Sequence, residues 1–444
     1  MSQRSLDGPD RRRGVGLAGQ DVDEEGAALM PRGGGDGRSR GHRPLFLGAI
    51  LLLVAPAILS GLTYSGDAPN GNVTDAENVT LVGVQGPFGP TGNGRILAID
   101  TETGRSVWEY ANDSAGENVL YYDVDPLGDG ELLFVQETPA GDGTALVVNW
   151  RTDEVVERFP VPSDTHDVDH LGGTRYVVAD KYNHRAYVYD AATGETVWEY
   201  NFSNHFPEYP AAGDAPSTQP SGPGGYTHLN DVDAVDNGSA FLLSPRNFNR
   251  VVLVNRSTKA TEWTLGEQND TSILDKQHNP TLLSQDPPVV LVADSENDRV
   301  VEYRRENDSW VRTWEYRGDL LWPRDADRLP NGNTLIVDTR GQRVLEVTPD
   351  REIVWERRVT TMPYDIERLR YGDEPSGPPI QSVTGAADSG DTSVLRDFYT
   401  LSLWVVPAWV SMAEFYALVA AALVGLGWIA LEVAAAVRRR RAGG

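Results

Sequence analysis

The sequence predicts an all-β chain, a six-bladed β-propeller closed by its C-terminal strand and flanked by two transmembrane helices. Three observations lead there. Long apolar runs lie near both ends, a unit of about 40 to 60 residues repeats between them, and the repeat is out of phase with itself.

The first apolar run is residues 45–62, 18 residues without a charge, which places a transmembrane helix at 44–63. Arg32, Arg38, Arg40 and Arg43 precede it and no Lys or Arg follows until Arg95, so the positive-inside rule puts residues 1–43 in the cytoplasm as a Gly- and Arg-rich disordered tail. A charged region that long argues against a cleaved signal peptide. The second run, 412–437, ends at four arginines, Arg438 to Arg441, which puts 438–444 in the cytoplasm as well. Trp404 and Trp409 mark 398–411 as an interfacial segment, and 373–397 reads as a linker. The expectation is a cell-membrane protein with both ends cytoplasmic and its propeller, 77–372, extracellular. Sequons for N-glycosylation begin at Asn72, Asn78, Asn112, Asn201, Asn237, Asn255, Asn269 and Asn307, all between the spans.

Composition narrows the function. A net charge of −26 would repel phosphate, so no nucleic-acid partner is expected. Only Lys181, Lys259 and Lys276 are lysines; an acidic, lysine-poor surface suits concentrated salt and suggests a halophile. With no cysteine there are no disulfides, thiolate nucleophiles or cysteine-bound metals.

Each repeat opens with a short frame: YDVD at 122–125, HDVD at 166–169, NDVD at 230–233, a degenerate HNPT at 278–281, RDAD at 324–327 and YDIE at 364–367. Each closes on an ending such as SVWEY (106–110), TVWEY (196–200) or RTWEY (312–316), with weaker copies at Trp263, Trp355 and Glu157. The chain enters on an ending and leaves on a frame, so the last strand should complete the first blade and remove the exposed sheet edge. Asp125, Asp169, Asp233 and Asp327 recur at one register, as do Arg185, Arg250, Arg299 and Arg343; residues used in every blade read as scaffold.

What varies is the first frame position: Tyr122, His166, Asn230, His278, Arg324 and Tyr364. If the frame strand lines the channel, these side chains face one axis, and His228 joins Asn230 by strand alternation. Arg246 stands in Ser-Pro-Arg, where sister blades carry an Asp followed by Lys181, Ser295 or Thr339. His42, His170, His184 and His205 sit near a span or in turns and take a structural reading, and the Pro/Gly/Ser-rich loop 201–226 is a candidate cover for the channel mouth. Three imidazoles could hold a divalent metal, or supply a nucleophile and an acid/base. A fixed guanidinium beside them favours an oxyanion over a metal, so no metal or other cofactor is expected.

These residues resemble the arylsulfotransferase family of propeller enzymes: His228-Leu-Asn230, Ser-Pro-Arg246 eighteen positions after that histidine, Gln277-His278, and His166 in the preceding blade. The resemblance covers about 77–372 and neither apolar run. It implies a nucleotide-independent sulfotransferase that moves a sulfuryl group from an aryl sulfate to a phenolic or other hydroxyl acceptor, ping-pong, through a sulfohistidine. By that resemblance His278 is the nucleophile, Arg246, His228 and Asn230 hold the sulfuryl oxygens, and His166 is the acid/base. Tyr122, Tyr364, Trp322 and Arg324 would bind substrate. Two alternatives are a metal-dependent lyase or hydrolase on His166, His228 and His278, and a non-catalytic surface propeller.

Overall fold

The computed structural model describes residues 43–63, 78–86, 94–111, 118–205, 209, 226–268, 270–375, 377–380, 398, 402, 406, 410 and 412–443. Between the helices lie six four-stranded antiparallel sheets. Each starts from an inner strand that carries the frame: 363–368 in the first blade, then Leu120–Gly128, Val168–His170, Leu229–Val235, His278–Gln285 and Pro323–Arg328. The first blade takes its inner strand from the end of the propeller, with Leu81 opposite Glu367 and Val82 opposite Ile366, so the ring closes as the phase shift requires.

The apolar core lies between neighbouring blades. Val177, Val188, Leu229, Phe241, Leu243 and Val252, for example, form one buried cluster across the third and fourth. The Trp endings also tie blade to blade: Trp108 Nε1 donates to Asp153 at 2.6 Å, Trp198 to the Arg256 carbonyl at 2.8 Å, and Trp314 to the Pro349 carbonyl at 3.0 Å. The recurring arginines bind within their own blades. Arg185 pairs with Asp180 and Glu199, Arg299 with Asp294 and Glu315, and Arg343 with Asp338 and Glu356. In the fourth blade Pro245 takes the aspartate's place, so this ion pair cannot form there.

A local irregularity positions the site. Strand register slips at the frame between Tyr121 and Val124, Leu229 and Val232, His278 and Thr281, and Pro323 and Asp325. Such bulges re-aim side chains. The first two frame residues, Tyr122 and Asp123 for instance, are both buried beside the slip.

Two helices, α1 (Arg43–Thr63) and α2 (Met412–Ala442), are long and apolar enough to cross a membrane. The chain divides into two compact units, Met1–Leu52 with Leu423–Gly444, and Leu53–Ala422. Within the first, Arg43 donates to both Glu432 carboxylate oxygens at 2.8 and 2.9 Å, and Phe46 stacks on Trp428 with centroids 6.0 Å apart. The segments therefore run antiparallel. In the second, residues 377–380, expected to be linker, are pinned to the propeller: Arg328 donates to the Pro378 carbonyl and the Ile380 amide to Glu302. Glu302 and Arg328 form a fully buried ion pair, and these extra bonds offset part of its desolvation. Residues 1–42 and most of the loop 201–226 lie outside the described residues.

Candidate active site

The six first-frame residues and His228 gather at one end of the channel. Ring centroids lie 4.5 Å apart for Tyr122 and His166, 5.6 Å for His166 and His228, 5.4 Å for Tyr122 and Tyr364, and 6.3 Å for His278 and Tyr364. Arg324 lies 4.8 Å over Tyr364 and 4.1 Å over Trp322, and Arg340 also lies 4.1 Å from Trp322, whose face therefore meets cations. Tyr122, His166, Asn230, His278, Trp322, Arg324 and Tyr364 are all buried, while His228 keeps partial exposure.

His228 arrives by a route different from the expected alternation. It precedes its inner strand, with φ at +49°. This left-handed conformation is uncommon for histidine and turns the ring into the channel. Arg246 faces it across the same hairpin, where its amide donates to the His228 carbonyl at 3.3 Å. That pairing is the structural meaning of the eighteen-residue spacing. The guanidinium donates to Asn247 and lies 4.0 Å from Glu296, yet its Nε has no partner.

His278 has a defined tautomer. Its Nδ1 lies 2.8 Å from the Ser295 hydroxyl, and that hydroxyl donates to the Pro323 carbonyl at 2.7 Å. A hydroxyl has one proton, so Ser295 accepts from Nδ1–H and leaves a lone pair on Nε2. His166 is fixed likewise: its Nδ1 lies 2.9 Å from the Asp164 carbonyl, which can only accept. Lys181 closes this corner on the Asp164 carboxylate. Asn230 donates to the Gln277 carbonyl at 2.9 Å, and Gln277 donates to Ser244 and to the Arg250 carbonyl.

The electrostatics favour neutral imidazoles. Burial, reinforced by the Lys181 charge, lowers His166 to about 3. Burial first, then nearby cations including Arg246, holds His228 and His278 well below the usual histidine range. Burial also lowers Lys181 and brings Arg324 down to about 10, which leaves Arg324 a cation at neutral pH. Burial tends to raise Asp164, but the Lys181 charge and hydrogen bond hold it below its ordinary value. Tyr122 and Tyr364 are pushed up by burial and stay neutral phenols.

The site thus holds neutral nucleophilic nitrogens among fixed cations and neutral donors, an arrangement that suits an anionic substrate. Among the described residues, the one set of three side chains whose ligand atoms close to within 4.8 Å is Asp125, Asp169 and Asp373; no such set includes a histidine. Lys181, Ser295 and Gln85, which accepts from Arg324, were not among the expected site residues. Lys181 and Ser295 occupy the register that Arg246 holds in the fourth blade, so the repeat carried a signal for them.

Solved structures similar in fold include a protein of unknown function from Bacteroides caccae (14% identity, TM-score 0.45, covering 65% of this chain and 98% of that one) and a putative 6-phosphogluconolactonase from Bacteroides uniformis (14%, 0.44, 65% and 99%). Virginiamycin B lyase from Staphylococcus aureus is a further one (13%, 0.37, 55% and 73%). No curated protein matches. The model of one family, Arylsulfotransferase (ASST), matches residues 91–314, just over half of the chain and four of the six frames. The chain belongs to the arylsulfotransferase family.

Proposed function

We propose that this protein transfers a sulfuryl group from an aryl sulfate to a phenolic or other hydroxyl acceptor in two steps, through a sulfohistidine at His278. The observation that carries the reading is the His278–Ser295–Pro323 chain of hydrogen bonds, which leaves an unprotonated Nε2 in a site rich in cations. In the first step Nε2 attacks sulfur, the N–S bond forms, and the ester S–O bond breaks with its electrons on the phenolate. In the second, the acceptor oxygen attacks sulfur, its proton passes to His166 Nε2, and the N–S electrons return to His278.

The transition state spreads charge over the sulfuryl oxygens, so fixed donors matter more than covalent help. Arg246, His228 and Asn230 are assigned to those oxygens. The unpartnered Arg246 Nε supports this. Asn230 contributes through its amide, and His228 through its ring edge. Neutral His166 is ready as the base of the second step. In the first it must gain a proton before it can assist a phenolate, and the arriving sulfate ester's negative charge offsets the Lys181 and Arg324 charges that oppose protonation. Tyr122, Tyr364, Arg324 and Trp322 frame the aryl group.

We place the propeller outside the cell membrane with both ends cytoplasmic, on the arginines flanking the two apolar runs. Isotope exchange tests the two-step scheme. A labelled phenol should enter unlabelled aryl sulfate with no other acceptor present. A strict need for acceptor before any phenol is released would rule it out.

A further inference from the structure

Below the histidines the channel is lined by carboxylates, in two tiers. The upper tier ties the ring together. Asp365 accepts from the Val124 amide, Asp123 from Val168, Asp167 from Val232 and Asp325 from Ile366, each reaching from one blade to the next. Asp231 breaks the series because the residue it would serve is Pro280, which has no amide hydrogen; its Oδ2 has no partner.

The lower tier is Asp125, Asp169, Asp233, Asp327 and Glu367. Only Asp169 takes an amide, from Ala234 at 2.6 Å. Asp125, Asp233 and Asp327 are 3%, 8% and 2% exposed, and the Oδ2 of each has no hydrogen-bond partner. Among the described residues, none of these carboxylates is within ion-pair distance of a lysine or arginine; the nearby Arg328 and Arg368 are committed to Glu302 and Glu346. Asp373, just past the closing strand, joins Asp125 and Asp169, and oxygens of the three lie within 4.8 Å of one another.

We propose that Asp125, Asp169 and Asp373 bind a calcium ion that locks the second and third blades to the segment closing the ring. Two calcium–oxygen bonds of about 2.4 Å can reach oxygens up to about 4.8 Å apart, and oxygens of the three carboxylates all lie within that distance of one another. The donors are all hard oxygens, with no nitrogen or sulfur to favour zinc or copper. An unpaired carboxylate such as Asp125, 97% shielded from water, needs a cation or a proton. The site lies apart from His278 and takes no part in sulfuryl transfer, so it stands or falls independently of the proposed reaction.

The test is calcium titration of the full chain in detergent after treatment with EDTA, at pH 7 and in enough KCl to screen exposed acids. One equivalent should bind and release protons. At a hundredfold excess over Kd the melting temperature should rise by about 4 °C. Asp373→Asn should remove binding and shift together, while Asp308→Asn, at a side chain 92% exposed, should change neither. Stoichiometry and proton release in the unaltered chain do not depend on any variant folding. Absence of a stoichiometric site, binding that survives Asp373→Asn in a folded chain, or an equal response to magnesium would overturn the proposal.

Discussion

His278 Nδ1 and the Ser295 hydroxyl lie 2.8 Å apart, and Ser295 spends its one proton on the Pro323 carbonyl. One small side chain just past the second strand of the fifth blade, Pro288–Asp294, therefore decides which nitrogen of His278 is nucleophilic. Ser295→Ala should slow phenol release in a single turnover by about tenfold, the worth of one neutral hydrogen bond, with the fold intact. Single-turnover kinetics beside a melting curve checks this, and Ser295→Thr should recover part of the rate.

Arg246 should resist replacement by lysine. The charge would remain but the planar fork would not, so Arg246→Lys should lower kcat/KM by about 100-fold. Inorganic sulfate, as a competitive inhibitor, should lose affinity in the same variant.

The pH profile of kcat/KM should lack the inflection near 6.5 of a free imidazole. His166 lies at about 3, and His228 and His278 are held well below their usual range, so all three are already neutral in the free protein at pH 6. A stopped-flow profile from pH 8 down to 5.5 should be flat for a nitrophenyl sulfate, whose phenolate departs without needing a proton from His166. His166→Ala should cost more for a poorly acidic phenol leaving group than for a nitrophenol.

The carboxylate channel predicts an unusual stability profile. Burial raises Asp373 to about 6 and Asp365 to about 7. Such groups bind more protons folded than unfolded. Their contribution is complete below the ordinary carboxylate range and is lost as pH rises through the folded values. In EDTA the melting temperature should fall between pH 6.5 and 8, where the histidines are neutral in both states. Calcium should lessen the fall by removing the Asp373 share.

Trp314 is buried and donates to the Pro349 carbonyl of the next blade. Trp314→Ala should cost about 3 to 5 kcal/mol, with Trp314→Phe recovering most of the packing but not the hydrogen bond. Denaturant melts would read both.

The repeat made the architecture legible because frames and endings mark blade edges directly. The channel position of Tyr122, His166, Asn230, His278, Arg324 and Tyr364 followed from one varying register among constant ones. Strand alternation sets His228 beside Asn230, whereas in the structure His228 stands ahead of the strand in a left-handed conformation, which periodicity cannot show. Lys181 and Ser295 are register mates of Arg246 in the repeat; their partners, Asp164 and His278, lie 17 residues earlier in each case, a contact that only the folded blade makes. Asp125, Asp169, Asp233 and Asp327 read as scaffold because they recur. Recurrence cannot distinguish a contact made inside each blade from a ring around a shared axis, and here it is the ring.

The most direct measurement is a single turnover of the full chain with an aryl sulfate and no acceptor, following phenol release and the mass of the peptide carrying residue 278. A burst of one phenol per chain is expected, with the sulfuryl group retained on His278 and discharged when a phenol is added. Phenol release only in the presence of acceptor, with no adduct on His278, would contradict it.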